Sequence, residues 1–266
     1  MTDATLASTL ARPASTWTGW GQWLALITMT LDHLVRYLVP DAWGLDWVGS
    51  SLGRIAFPLF AGMVAWHGLF NTRDPLRYAR RILVIGLVAQ LPYQLMPRAA
   101  LVQFNICFTL ALGLAAVAWY RRWEARRRAG GLPLPHRVGE PLLLLLAWFL
   151  AGDWVEYGHE GLLVVPAFTL AIASLARASE APRERLVSVV GALPLLMVAG
   201  LMNSSDLAKS FTVATCLGVL LLAAGAHAAI PRMPWPMPRR LWLTWYPAHF
   251  TAIAAVLVLL GEAAWP

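Results

Sequence analysis

The sequence predicts an all-α polytopic membrane protein with about nine transmembrane helices, an N-inside, C-outside topology and a polar cavity opening outward. Three observations carry this expectation. Of the 266 residues 59% are hydrophobic and 13% charged, with a mean hydropathy of +0.59, which is too apolar for an ordinary soluble domain. Apolar runs long enough for helical spans recur along the whole chain. The N-terminal tail and alternate loops hold 17 of the 21 lysines and arginines, the asymmetry that the positive-inside rule converts into an orientation. The net charge of +7 would suggest nucleic acid in a soluble domain, but here it lies in short loops between apolar runs, so topology explains it and no nucleic-acid partner is expected.

Residues 1–16 read as a flexible cytoplasmic tail, and residues 17–266 as one transmembrane domain. Trp17, Trp20 and Trp23 mark a membrane interface. The first span, about 20–39, contains Asp-His-x-x-Arg in place of a clean apolar core and cleavage site, so it is read as a retained helix and not a signal peptide. The second span runs about 52–70, the third about 80–96 and the fourth about 104–120. A basic loop at about 121–140 follows, where Gly130, Gly131, Pro133 and Pro135 disfavour helix. The fifth and sixth spans, about 141–155 and 161–176, are short, so the polar linker between them is expected to dip into the interior. Further spans are predicted at about 186–201, 211–229 and 241–260. Arg98 and Lys209 are the basic residues of the outer loops, and Arg36 and Arg54 lie within spans near the outer face. Cys107 and Cys216 sit in apolar segments without metal-ligand or disulfide spacing, which makes them packing residues, and no metal is expected.

Ionisable groups inside a span cost about 2.5–3.5 kcal/mol each near mid-bilayer, so they point to function. Asp32 and Arg36 are four residues apart and share a helix face. His33 lies about 100° around the helix from Asp32 and must find its partner on another helix. Arg54, Gln90, Asn105, Thr109, Asp153 and Glu156 fall in the same outer half, and His249 follows the kink-prone Pro247 in the last span. Gln90, Asn105 and Thr109 also fit interhelical packing, and His67, His159 and His227, near span ends or without polar company, are assigned no role. An Asp32 ion pair with Arg36 or Arg54 that fixes helix packing is the structural alternative. Arg77, Arg80 and Arg81 lie at the cytoplasmic end, where topology and phosphate binding are both open readings.

Taken in order, Leu31-Asp32-His33, Arg54-Ile55-Ala56-Phe57-Pro58-Leu59-Phe60, Arg77-Tyr78-x-x-Arg81 with Gln90-Leu91-Pro92-Tyr93, and Asn105-Ile106-Cys107-Phe108-Thr109-Leu110 resemble the TraX family of conjugation-associated acetyltransferases. Glu156-Tyr157-Gly158-x-x-Gly161 and Tyr246-Pro247-Ala248-His249 resemble its later motifs, with Glu156 where the family typically has Asp. The resemblance implies N-terminal acetylation of a conjugative pilin, with acetyl-CoA as acyl donor, in a bacterial inner membrane.

On that reading His33 is the general base and Asp32 orients it or compensates its charge. Arg54 or Asn105 stabilises the oxyanion, Glu156 or Asp153 takes the acidic place of the later motif, and His249 is the rival base or the acid for the leaving thiolate. Arg77, Arg80 and Arg81 would hold the CoA phosphates. A glycan or other periplasmic acceptor, a transporter, and a non-catalytic pilin-assembly protein are the alternatives. Residues 121–137 would also attract anionic membrane lipid.

Overall fold

The computed structural model describes residues 15–97, 102–177 and 182–264. Among these it forms nine long helices: α1 (Trp17–Leu38), α2 (Gly53–Phe70), α3 (Pro75–Gln94), α4 (Ile106–Arg128), α5 (Leu134–Gly152), α6 (Gly158–Arg177), α7 (Pro182–Leu201), α8 (Asp206–Ala223) and α9 (Arg239–Leu260). A helical turn, Trp47–Ser50, precedes α2, and 3₁₀ turns occupy Asp41–Trp43 and Ala226–Ala229. One isolated parallel bridge joins Phe104 to Val155. Residues 1–14, which include most of the expected tail, and Arg98 lie outside the described residues.

Local chemistry sets the helix starts. Asp74 caps α3 by accepting from the Arg77 amide at 3.1 Å, with Pro75 at the first helical position. Asn105 caps α4 by accepting from Cys107 N at 3.1 Å, and Ser205 caps α8 by accepting from Ala208 N at 3.3 Å. The expected basic loop is largely helical, which corrects the sequence reading. Helix α4 continues through Arg128 because Glu124 accepts from Arg127 and Arg128, three and four residues on, at 2.8–3.0 Å. Helix α5 begins at Leu134, since Pro135 falls in its first turn, where its lack of an N–H costs nothing. Arg126 reaches Glu140, tying α4 to α5, and His136 joins the same carboxylate from one turn earlier on α5.

Helix α2 is the centre. Its residues from Ala56 to Leu69 are mostly buried, and it packs against α1, α4, α6 and α8. Trp66 on α2, Phe168 on α6, Leu114 on α4 and Phe250 on α9 are among the largest fully buried side chains. A Cβ on Gly62 would stand 2.8 Å from Val219, so glycine there lets α2 and α8 approach closely.

The outside is apolar. Leu24, Ile27, Leu31 and Leu34 form an exposed stripe on α1, and Val84, Leu87, Val88 and Leu91 one on α3. Most of α5 and one side of α7 also expose leucine, valine and phenylalanine. So much contiguous apolar surface fits lipid as the surrounding medium and not water. Among the described residues four segments are long and apolar enough to cross a membrane by themselves: Trp47–Phe70, Gly158–Ala176, Asp206–Ala223 and Arg239–Leu260. This is a membrane protein. The other helices are diluted by Asp32 and Arg36 in α1, by arginines at the ends of α3 and α4, and by the polar start of α5.

Contacts between loops define two ends. At one, Thr16 donates to His227 O, Trp20 Nε1 to Pro231 O, Trp23 Nε1 to Trp235 O, and Arg121 Nη1 to Gly68 O. Trp17, expected at the interface, is instead buried against Trp66. At the other end, Phe104 and Glu156 exchange main-chain hydrogen bonds with the α5–α6 linker and the α4 start, and Ala264 N donates to Leu95 O. The clusters 73–81, 121–137 and 232–240 all flank the first end.

Candidate active site

Helix α1 delivers Asp32 and His33, both buried, near its C-terminal end. The Asp32 carboxylate lies against the start of α2. A Cβ on Gly53 would stand 2.5 Å from Asp32 Cγ, and one on Gly49 3.0 Å from Oδ1, so two glycines open the seat. There the carboxylate meets the positive end of the α2 dipole. Arg36 Nη2 donates to both oxygens at 2.9 and 3.0 Å, one turn along α1, as the spacing predicted.

His33 does find its partner on another helix. Its Nδ1 is 2.8 Å from His249 Nε2 on α9, with the two rings within 3° of parallel. The other nitrogen of His249, Nδ1, is 2.9 Å from the Trp245 carbonyl oxygen. A carbonyl can only accept, so neutral His249 carries its proton on Nδ1 and presents a lone pair at Nε2. His33 must then donate from Nδ1, which leaves Nε2 of His33 as its basic nitrogen, 4.0 Å from Asp32 Oδ2. The chain Trp245 C=O, His249, His33 thus fixes a tautomer from the protein interior outward. Phe250, 4.6 Å from the His33 ring, and Tyr93, edge-on to Phe250, wall the pair with aromatic surface.

On the far side of Asp32, Arg54 enters from the first turn of α2. Its Nη1 donates to Tyr157 Oη at 3.2 Å, and its buried Nε has no hydrogen-bond partner. The Tyr157 ring stacks on Phe57 at 4.6 Å and 12°. Four elements far apart in sequence therefore converge on one buried carboxylate and one histidine pair.

The family model described as TraX protein matches residues 21–257. The chain belongs to the TraX family. The match spans every site residue from Asp32 to His249. This TraX chain is also similar to the probable fimbrial assembly protein FimC, serogroup H1, of Dichelobacter nodosus, at 24% identity over 258 residues covering 89% of this chain and 94% of that relative. No solved structure matches it.

The remaining candidates of this TraX chain divide. The linker between α5 and α6 brings Glu156 to the site and leaves Asp153 exposed. Glu156 is anchored through its main chain, its N donating to Phe104 O and its O accepting from Thr109 Oγ1 at 2.8 Å. Asn105 is structural in its contacts. Its amide donates to Gly86 O and Gln90 Oε1, both at 2.8 Å, while its oxygen caps α4, so its polar atoms are engaged in holding α3 to α4. Arg54 is the better placed of the two expected oxyanion donors. Cys107 is buried in the core cluster.

Arg77, Arg80 and Arg81 are exposed near the start of α3. Sixteen helical residues, about 24 Å, separate Arg77 from Tyr93, so they lie at the opposite end from the histidine pair. His67, His159 and His227 serve local hydrogen bonds to Asn71, Phe149 O and Leu222 O. The seat formed by Gly49 and Gly53 and the Trp245 carbonyl were not foreseen in the sequence. Two glycines four residues apart just before Arg54 were the available signal.

Proposed function

We propose that this chain is a membrane-embedded acetyltransferase that moves an acetyl group from cytosolic acetyl-CoA to the N-terminal amine of a pilin subunit at the outer side of a bacterial inner membrane. The observation that carries the reading is the ordered histidine pair, in which hydrogen bonding leaves His33 Nε2 as a base beside a buried carboxylate.

An α-amine with a pKa of about 7.7–8.0 needs little help to lose its proton, but the proton must go somewhere as the new bond forms. His33 Nε2 takes it, and Asp32 at 4.0 Å compensates the imidazolium. The amine nitrogen bonds to the thioester carbonyl carbon, and the carbonyl oxygen becomes an oxyanion that the half-buried Arg54 guanidinium neutralises. Collapse breaks the carbon–sulfur bond, and His33 returns its proton to the thiolate, giving the amide and free CoA. His249 keeps the His33 ring in the working tautomer.

Placement supports the direction of transfer. The end rich in arginine is the cytoplasmic one under the positive-inside rule, which puts the N-terminus inside, the C-terminus outside and the mouth of the site on the outer half. Arg77, Arg80 and Arg81 then face the compartment that contains acetyl-CoA, with guanidinium geometry suited to phosphate. The pilin acceptor draws on family membership and on the fimbrial-assembly name of the similar protein.

Thiol release from acetyl-CoA by the purified protein in detergent tests the reading. Release that requires a peptide with a free N-terminus, and that disappears in folded His33→Ala, supports it. Folded wild type that releases no thiol with amine or hydroxyl acceptors would sink it.

A further inference from the structure

Tyr157 has a backbone φ of +62°, the only non-glycine residue with positive φ among the described residues. A bulky side chain pays strain in that region. The surroundings preserve the conformation. Gly158 follows at φ +62°, and Gly161, whose amide donates to Tyr157 O at 2.9 Å, lacks the Cβ that would stand 2.7 Å from the Tyr157 Cβ. The turn aims the ring onto Phe57 and brings the hydroxyl to Arg54 Nη1.

The choice of nitrogen has a consequence. Nη1 is the terminal nitrogen on the Cδ side of the guanidinium plane, so a bond there leaves the opposite edge, formed by Nε and Nη2, facing elsewhere. Nε on that edge is buried and has no hydrogen-bond partner, and buried donors are normally paired. We infer that Tyr157 is a positioning residue: its hydroxyl anchors Nη1 of Arg54 so that the Nε–Nη2 edge meets the carbonyl oxygen of the acyl donor. The assignment rests on the acetyltransferase reading, and it identifies the strained turn as the device that holds the oxyanion donor rigid.

The test uses the full-length protein in detergent with acetyl-CoA and a peptide bearing a free N-terminus, comparing wild type, Tyr157→Phe, Arg54→Lys and the double variant. Phenylalanine keeps the ring on Phe57 and removes only the hydroxyl. We expect kcat to fall about tenfold in Tyr157→Phe with KM for acetyl-CoA within about twofold, a loss of orientation and not of binding. In the Arg54→Lys background, where Nη1 is absent, the tyrosine change should cost nothing further. Unchanged kcat in Tyr157→Phe, or an equal loss in both backgrounds, would overturn the assignment.

A readout independent of turnover separates this failure from failure of the function. With ¹⁵N-labelled arginine, the Arg54 Nε–H resonance should move in Tyr157→Phe. If it moves while folded wild type transfers nothing, the acetyltransferase reading falls and the anchor stands. If it does not move, the anchor falls whatever the activity.

Discussion

Replacing His249 with phenylalanine removes the acceptor for His33 Nδ1 while keeping a ring among Tyr246 and Phe250. Two costs follow. A buried donor left without its partner costs about 1–3 kcal/mol of stability. The proton on His33 also loses the bond that holds it on Nδ1. Such a bond is worth about 1 kcal/mol net, somewhat less than a factor of ten in tautomer population, and the ring is freed to rotate away from the reacting amine as well. Together these predict a fall in kcat of about 10- to 100-fold, smaller than the roughly 10²- to 10⁴-fold loss expected for His33→Ala, which deletes the proposed base. Glutamine at 249 can offer an amide oxygen to the same Nδ1–H and should recover part of the loss. Initial rates of thiol release at saturating acetyl-CoA, on variants matched for folding by gel filtration, measure all three. His249→Phe at more than half the wild-type rate, with His33→Ala inactive, would refute the tautomer argument.

Other perturbations separate chemistry from scaffold. Gly53→Ala drives a methyl into Asp32 and should cost about 1–3 kcal/mol together with most of the activity, whereas Gly139→Ala, in the interior of α5 with nothing within 4 Å, should leave the rate unchanged and stabilise by about 0.5–1 kcal/mol. Asn105→Ala removes a helix cap worth about 1 kcal/mol and two cross-helix hydrogen bonds, so it should lower thermal stability markedly. Hydrogen bonds from Arg127 and Arg128 hold the Glu124 carboxyl down at about 2, from 4.5. Because the folded value is depressed, the clasp stabilises fully above about pH 4.5 and is lost as pH falls through about 2. Thermal melting of Glu124→Gln should therefore converge with wild type as pH falls across that window. Exchanging Arg77, Arg80 and Arg81 for glutamine should raise KM for acetyl-CoA with kcat little changed, and added salt should mimic the effect in wild type.

Most of the helices were legible in the sequence because apolar runs interrupted by Gly, Pro and Arg leave few alternatives. Their ends were not. The basic segment after residue 120 reads as loop by composition, but Glu124 pairs with Arg127 and Arg128 along α4, and Pro135 sits where a helix tolerates proline. The site was half legible. Asp32 with Arg36 follows from spacing alone, and the need for a partner helix for His33 follows from its angle around α1. That the partner is His249 required the packing of α1 on α9, a contact between residues 216 apart. Asn105 looked like a site residue because polar groups in apolar segments draw attention, and only its engaged hydrogen bonds reveal a cap. Tyr157 was visible as a motif letter, but its left-handed backbone and its grip on Arg54 come from tertiary closure of the α5–α6 linker.

Transfer across the membrane is read from the mass of a peptide with a free N-terminus incubated outside proteoliposomes that hold the protein, with acetyl-CoA trapped inside. We expect a gain of one acetyl group on the peptide α-amine with wild type and none with folded His33→Ala. An unmodified peptide with folded, correctly oriented wild type, or acetylation that persists in His33→Ala, would contradict it.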